Sequence, residues 1–255
     1  ANVPLSPRQP ALDQAIQARQ GGTHLLAVAD PADLSVESLR SLRTALQFAM
    51  LHAPNRVIML TGPTPGIGKS FISANLAAIM AATGKRVLLI EADMRKGHLH
   101  DVFGVKRSPG LSELVANIQP LEPVLRPQVV AGLDLIPGGA IPPNPAELLL
   151  SLSTGDWLQR LQDQYDLVLI DTPQVLAVSD AGVLAQRAGT VLLVARAETT
   201  TLGELQETAK RLAQAGGSVR GVVFNGLDFK RRYGYGYGYR YQRYDYGTPP
   251  KAPKA

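Results

Sequence analysis

The stretch RVIMLTGPTPGIGKS, residues 56–70, decides the fold. It begins as a short apolar run and ends in a glycine-rich loop, which is followed by a longer apolar segment, FISANLAAIM (71–80). A short apolar run next to turn residues is typical of a buried strand, and the longer segment predicts a helix. The order strand, glycine-rich loop and helix favours phosphate binding, because N–H groups at a helix N-terminus can surround an anion.

The loop has the residues that a nucleotide requires. Gly66 and Gly68 allow the backbone to curl around a phosphate, Lys69 can reach the β- and γ-phosphates, and the Ser70 hydroxyl can ligate Mg²⁺. The strict spacing G-x-x-x-x-G-K-[ST] requires glycine where this chain has Pro63, so a plain strand–turn–helix joint is the alternative. We predict the following nucleotide-binding residues: Pro65, Gly66, Ile67, Gly68, Lys69, Ser70 and Phe71.

Apolar runs alternate with helical segments along the rest of the chain. The runs are RVLLIEAD (86–93), DLVLID (166–171), TVLLVA (190–195) and VRGVVFNG (219–226). This alternation predicts a P-loop NTPase-like α/β fold, with a mostly parallel sheet and helices on both faces. Ligands of such sheets bind beyond the carboxyl ends of the strands, so the chemistry is expected just after Leu60, Ile90 and Ile170.

Three acids lie at these strand ends. Glu91 and Asp93 are two residues apart, so in an extended chain they point to the same side, where they can hold a metal's water shell or accept a hydroxyl proton. Asp171 follows four apolar residues, as a Walker B aspartate near Mg²⁺ does. The alternatives are solvated acids and an isolated strand-terminal aspartate. We predict Lys69, Glu91, Asp93 and Asp171 as catalytic residues and Ser70, Asp93 and Asp171 as the Mg²⁺ site.

Composition excludes several classes of protein. The 255 residues include no cysteine and only four histidines, which excludes disulfides and thiolate sites and argues against zinc. No apolar run approaches the roughly 18 residues that cross a bilayer, so the chain by itself is expected to be cytosolic. Residues 230–255 carry a net charge of +6 and residues 1–229 carry −1, which argues against a nucleic-acid-binding face on the folded domain.

The segment RRYGYGYGYRYQRYDYG (231–247) contains seven of the eight tyrosines. Glycine is depleted in strands and packs poorly, so we predict a disordered tail over 230–255, after a domain over 34–229 and a linker over 1–33. RNA binding by stacking and a low-complexity end without a role are the alternatives. The tail tyrosines are Tyr233, Tyr235, Tyr237, Tyr239, Tyr241, Tyr244 and Tyr246.

Together these motifs resemble the bacterial tyrosine kinases. A loop of form T-G-x-x-P-x-I-G-K-[ST] is followed by VLLIEADMRKG (87–97) and YDLVLIDTPQVLAVSDA (165–181). ESLRSLRTALQFAM, GLSELV and IPPNPAELLL extend the likeness to the cytoplasmic kinase domain of Wzc-type polysaccharide co-polymerases, from about Leu25 to the C-terminus. The resemblance implies ATP and Mg²⁺ as cofactors and the tail tyrosines as the phosphorylated substrate. Each phosphate would add a charge of about −1.5 to −2 to the basic tail.

The resemblance also implies partners and a location. Glu37, Arg40 and Arg43 share a helix face, which in the family lies at the subunit interface of a ring, an octamer by resemblance; an intrahelical ion-pair face is the alternative. Asn225 is expected to contact adenine, as similar residues do in related ATPases. A cognate tyrosine phosphatase and polysaccharide polymerisation and export machinery would be partners. The chain would lie at the cytoplasmic face of the bacterial inner membrane, after two transmembrane helices and a periplasmic domain.

Three positions depart from the family pattern. The family usually has Asp where this chain has Glu91, and the extra methylene displaces the carboxylate by about 1.5 Å, a misplacement that can cost on the order of 10²-fold in rate. An internal regulatory tyrosine and its arginine partner are replaced by His98 and Gly138, so this form of regulation is not expected in the chain. His98 is interpreted as a polar loop residue, with a general-base role as the alternative.

Competing functions are a MinD/ParA-like ATPase, which requires lysine at Thr64, and a catalytically weak ATP-binding scaffold.

Overall fold

A computed structural model describes residues 1–150 and 153–228, except the side chains of 153–156. The predicted disordered tail and its seven tyrosines lie outside these residues.

One eight-stranded sheet, in the order β1-β8-β7-β2-β6-β3-β5-β4, forms the centre of the molecule. Its strands are β1 (Asn2–Pro4), β2 (Val57–Thr61), β3 (Val87–Glu91), β4 (Arg126–Val130), β5 (Leu133–Ile136), β6 (Leu167–Asp171), β7 (Thr190–Arg196) and β8 (Val219–Leu227). Neighbouring strands are parallel except for β4, which is antiparallel to β5. The predicted α/β fold is therefore confirmed.

Helices cover both faces of the sheet. They are α1 (Gln9–Gln17), α2 (Leu26–Ala29), α3 (Leu34–Ala49), α4 (Lys69–Ala81), α5 (Leu99–Val102), α6 (Leu111–Val115), α7 (Leu121–Val124), α8 (Pro145–Leu150), α9 (Ser153–Gln164), α10 (Asp180–Ala185) and α11 (Leu202–Gln214), with a 3₁₀ turn at Met50–His52. Ile58 and Leu60 of β2 point into one apolar core, with α3 and α4, whereas Val57 and Met59 point into the other. This alternation is the two-residue period of a strand with both faces buried.

The segment predicted as a linker, 1–33, instead contributes to the sheet. β1 pairs in parallel with β8, Val3 is fully buried, and the Leu5 N–H donates to the Leu227 carbonyl at 2.9 Å. The Ser6 hydroxyl donates to Asp33, the N-cap of α3, at 2.7 Å. A three-residue strand is too short to show a periodic pattern, which explains why the sequence does not reveal it.

None of the helices in the described part of the chain combines the length and the apolar character that crossing a bilayer requires.

Candidate active site

The glycine-rich loop is held in a curled conformation between β2 and α4. Gly66 and Gly68 have φ angles of 75° and 89°, in the left-handed region that favours glycine, and Gly68 is the N-cap of α4. A Cβ on Gly62 would collide with Ile67 and with the Val194 carbonyl, so glycine at 62 lets the loop lie against β7. The loop therefore presents its backbone at the start of α4, as a phosphate-binding loop requires.

Behind the loop, Asp171 at the end of β6 is held by two hydroxyls of α4. Ser70 Oγ donates to one carboxylate oxygen at 2.7 Å, and Ser73 Oγ donates to the other at 2.9 Å. Burial raises the pKa of Asp171 to about 6, although hydrogen bonds from Ser70 and Ser73 and the charge of Lys69 act in the opposite direction. Ser73 lies one helical turn beyond Lys69, and no motif in the sequence indicates its contact with Asp171.

Lys69 begins α4 and lies beside this carboxylate. Its Nζ is 3.4 Å from the Thr64 carbonyl, so the side chain folds back over its own loop. Burial lowers the pKa of Lys69, while Asp171 and Asp93 nearby raise it. This is the position from which the lysine can approach the outer phosphates of a nucleotide.

Asp93 also lines the cavity. Its Oδ1 accepts the Lys96 N–H at 2.9 Å and the Arg95 N–H at 3.2 Å, which leaves the other carboxylate oxygen directed away from these two bonds. The Arg95 guanidinium donates through Nε and Nη2 to the buried Asp180, both at 3.1 Å. This fork fixes the turn that carries Asp93.

The prediction that Glu91 and Asp93 face the same space is wrong. Glu91 is fully buried, does not line the cavity, and accepts the backbone N–H groups of Leu99 and Gly138. The reason is that β3 ends at Glu91, so the two-residue alternation of a strand does not continue to Asp93. The structure therefore offers Asp93, and not Glu91, as the carboxylate that can meet a substrate.

Asn225, near the end of β8, lies beneath the glycine-rich loop. Its Nδ2 donates to the Ile67 carbonyl at 2.9 Å, and a Cβ on Gly68 would collide with the same amide. Asn225 is 5% exposed and also lines the cavity. The amide that was expected to contact adenine therefore has a partner in the loop, and the adenine contact remains a prediction.

These elements border a cavity of about 490 Å³, a volume in the range of small-molecule sites. Lys69, Ser70, Asp93 and the exposed His98 line it. The N-terminal segment, which the sequence predicts as a linker, forms a further wall through Pro4, Leu5, Ser6, Gln9, Pro10 and Asp13.

The donors present fit a magnesium ion that is shared with phosphates. Among residues 1–150 and 153–228, no group of three or more His, Cys, Asp or Glu side chains is arranged to hold a metal by itself. Ser70 and Asp171 instead supply a hydroxyl and a carboxylate in contact with each other, and Asp93 lines the same cavity as Ser70. Mg²⁺ is commonly bound in this way, by one or two carboxylates together with substrate phosphates.

The helix α3 carries the three residues predicted at a subunit interface. Arg40 Nη1 donates to Glu37 at 2.9 Å within the same helix, so two of the three form the intrahelical pair considered as the alternative. Arg43 is half-buried on the same helix. Near the end of α3, Phe48 and Leu51 are 69% and 73% exposed. The role of Glu37, Arg40 and Arg43 at a subunit interface remains a prediction.

Comparison with known proteins agrees with this geometry. Residues 55–216 match the AAA domain family, and the fold and the site define a P-loop nucleotide-binding domain. The kinase domain of the Escherichia coli tyrosine kinase ETK is 42% identical, with a TM-score of 0.84 and 94% of each chain covered. The BceF tyrosine kinase domain is 51% identical, with a TM-score of 0.82, covering 89% of this chain and 92% of that one.

The chain belongs to the bacterial tyrosine kinases. A curated relative, the putative tyrosine-protein kinase EpsB of Ralstonia solanacearum, is 56% identical over 262 residues, which cover all of this chain and 35% of the relative. The chain thus spans about a third of the length of the curated relatives it matches.

Proposed function

We propose that this domain transfers the γ-phosphoryl group of ATP to tyrosines in residues 230–255, with one subunit modifying the tail of another. The observation that carries the proposal is that a phosphate-loop lysine, Lys69, and a solvent-accessible carboxylate, Asp93, face the same cavity. Seven of the chain's eight tyrosines follow the domain within a single segment.

The reaction is a displacement at the γ-phosphorus. The phenolic oxygen forms a bond to phosphorus, the bond from phosphorus to the bridging oxygen breaks, and ADP leaves. The phenol has an ordinary pKa of about 10 and needs a base near neutral pH, so Asp93 accepts its proton. The loop N–H groups and Lys69 stabilise the charge on the transferring group. Mg²⁺, held through Ser70, Asp171 and Asp93, would neutralise phosphate charge.

Phosphorylation can be tested directly by incubating the 255-residue chain with Mg-ATP and mapping phosphotyrosine by mass spectrometry. We expect labelling among the tail tyrosines, none on the buried Tyr165, and loss of labelling by at least about 10²-fold in Lys69→Met and Asp93→Asn. A protein that binds ATP without labelling its tail would instead be an assembly scaffold.

Transfer between subunits needs a mixing experiment. Lys69→Met with an intact tail is mixed with an active chain that ends at residue 229. Phosphotyrosine on the Lys69→Met protein supports transfer in trans, whereas an unlabelled Lys69→Met protein, in a mixture where the active full-length chain labels its own tail, contradicts it. The exposed Phe48, near the C-terminal end of α3, and Leu51, in the following turn, make this end of the helix a suitable ring contact. Light scattering of Phe48→Asp, which should dissociate the ring, tests this contact.

The wider role rests on the relatives. Relatives named as tyrosine kinases wzc, EpsB and AmsA include much longer chains than this one. We infer that the domain acts at the cytoplasmic face of the bacterial inner membrane and regulates exopolysaccharide or capsule polymerisation and export, with a tyrosine phosphatase that reverses the modification. Deleting the gene and measuring exported polysaccharide tests this role.

A further inference from the structure

Two loops follow the carboxyl ends of the neighbouring strands β3 and β5. The first, residues 92–98, follows β3 and includes Asp93 and Lys96, which line the cavity. The second, residues 137–140, follows β5 and lies behind the first. Neither loop has regular secondary structure of its own, and hydrogen bonds from side chains to backbone groups connect the two.

Glu91 is one of these side chains. It accepts the N–H of Leu99, the first residue of α5 directly after the first loop, and the N–H of Gly138 in the second loop, the latter at 2.9 Å. A Cβ at Gly97 would lie 2.5 Å from the Glu91 carboxylate, and one at Gly138 would lie 3.4 Å from it. Gly97 therefore makes room for the glutamate, whereas a Cβ at Gly138 would be at about van der Waals contact with it.

Arg107 joins the same two loops from the other side. Its Nε donates to the Gly139 carbonyl at 2.9 Å and its Nη2 donates to the Met94 carbonyl at 2.8 Å. The Gly139 N–H in turn donates to the Arg107 carbonyl at 3.1 Å. Met94 follows Asp93 directly and is fully buried, so this contact acts on the backbone beside the cavity carboxylate.

We propose that Glu91 and Arg107 are positioning residues, a brace that holds Asp93 at the cavity wall and thereby sets the rate of phosphoryl transfer. The inference rests on the proposed kinase function. Neither side chain lines the cavity, and both act through the loop that carries Asp93. The rate is sensitive to this loop because a displacement of about 1 Å in a reacting group can cost on the order of 10²-fold. The phosphate loop is untouched, so nucleotide affinity should change little.

The test compares Arg107→Met and Arg107→Lys with a matched control, Arg126→Met, in the 255-residue chain. Arg126 also donates to backbone carbonyls, those of Lys106, Pro109 and Pro123, but contacts neither loop. We expect Arg107→Met to lower kcat for tail labelling by about 10²-fold and to change ADP affinity less than threefold. Arg107→Lys should recover part of kcat, and Arg126→Met should lower stability while leaving kcat within threefold. Equal kcat in Arg107→Met and Arg126→Met would overturn the proposal.

The variant Glu91→Asp distinguishes a positioning role of Glu91 from a role as a proton acceptor. Aspartate would supply an equivalent proton acceptor, so a catalytic role for Glu91 predicts unchanged or higher kcat. The brace predicts a fall, because the shorter side chain cannot reach both N–H groups.

Amide hydrogen exchange over residues 93–98 provides a readout that does not depend on kinase activity. We expect faster exchange in Glu91→Asp and Arg107→Met and wild-type exchange in Arg126→Met. If the wild-type chain labels no tyrosine, the proposed function fails, and unchanged exchange in the Glu91 and Arg107 variants refutes the brace separately.

Discussion

Replacing Asn225 with alanine tests what keeps the phosphate loop in its binding shape. The substitution removes the 2.9 Å bond to the Ile67 carbonyl, and both residues are buried. A buried carbonyl left without a donor costs about 1–3 kcal/mol. If that cost falls on the curled loop, the Kd for a nucleotide rises by about 5- to 150-fold, at 1.4 kcal/mol for each factor of ten.

The assay is titration with a fluorescent ADP analogue at fixed Mg²⁺, with displacement by unlabelled ADP and by inorganic tripolyphosphate. If Asn225 holds the loop, Asn225→Ala weakens the binding of both ADP and tripolyphosphate. If Asn225 only contacts adenine, the substitution weakens the binding of ADP alone. Asn225→Asp places an acceptor against the Ile67 carbonyl and should bind at least as weakly as Asn225→Ala. Asn55→Ala is the control. The Asn55 amide also donates to a backbone carbonyl, that of Arg187, but Asn55 precedes β2, whereas the glycine-rich loop follows that strand. The reasoning is refuted if folded Asn225→Ala binds both competitors within twofold of the wild type.

Three further predictions follow from single contacts. Ser73→Ala removes the 2.9 Å bond that orients Asp171, so the labelling rate should fall about tenfold and the half-saturating Mg²⁺ concentration should rise in a Mg²⁺ titration. Burial of Glu113 would raise its pKa, but hydrogen bonds from Ser108 and from backbone N–H groups lower it to about 2. The stability that ionised Glu113 contributes is thus present above the unfolded pKa of 4.5 and is lost as the pH falls toward 2. In urea titrations below pH 4.5, the free energy of unfolding of Glu113→Gln should therefore fall less steeply with pH than that of the wild type. Tyr165→Phe removes the 2.6 Å bond to Asp134 and should lower the free energy of unfolding by about 1–3 kcal/mol in urea titrations, with no change in phosphotyrosine yield.

Much of this architecture can be predicted from local sequence. Consecutive apolar residues at 57–60, 87–90 and 167–170 indicate buried parallel strands, because both faces of such strands are covered. The glycine-rich loop signals its own shape, since Gly66 and Gly68 have positive φ angles that other residues avoid. For this reason the placement of Lys69 and Asp171 at one edge of the sheet follows from pattern alone.

The remaining features depend on contacts between distant segments. The direction of the Glu91 side chain is set by N–H groups at Leu99 and Gly138, and Gly138 is 47 residues away in the chain. Ser73 looks like an ordinary helix residue until α4 is placed against β6. β1 has too few residues for a periodic signal and is recognised only through its pairing with β8.

The N-terminal segment has two tasks, since β1 completes the sheet edge beside β8 and Pro4 to Asp13 enclose the cavity. A single proteolytic cut that released this segment would leave the N–H and C=O groups of β8 open to strands from other molecules, a known route to aggregation. The same cut would open the cavity that we propose as the nucleotide site. Shortened versions of the protein for crystallisation or screening therefore need to retain these residues. Loss of ligand binding in a truncated protein would reflect the missing cavity wall and not a defect of the phosphate loop.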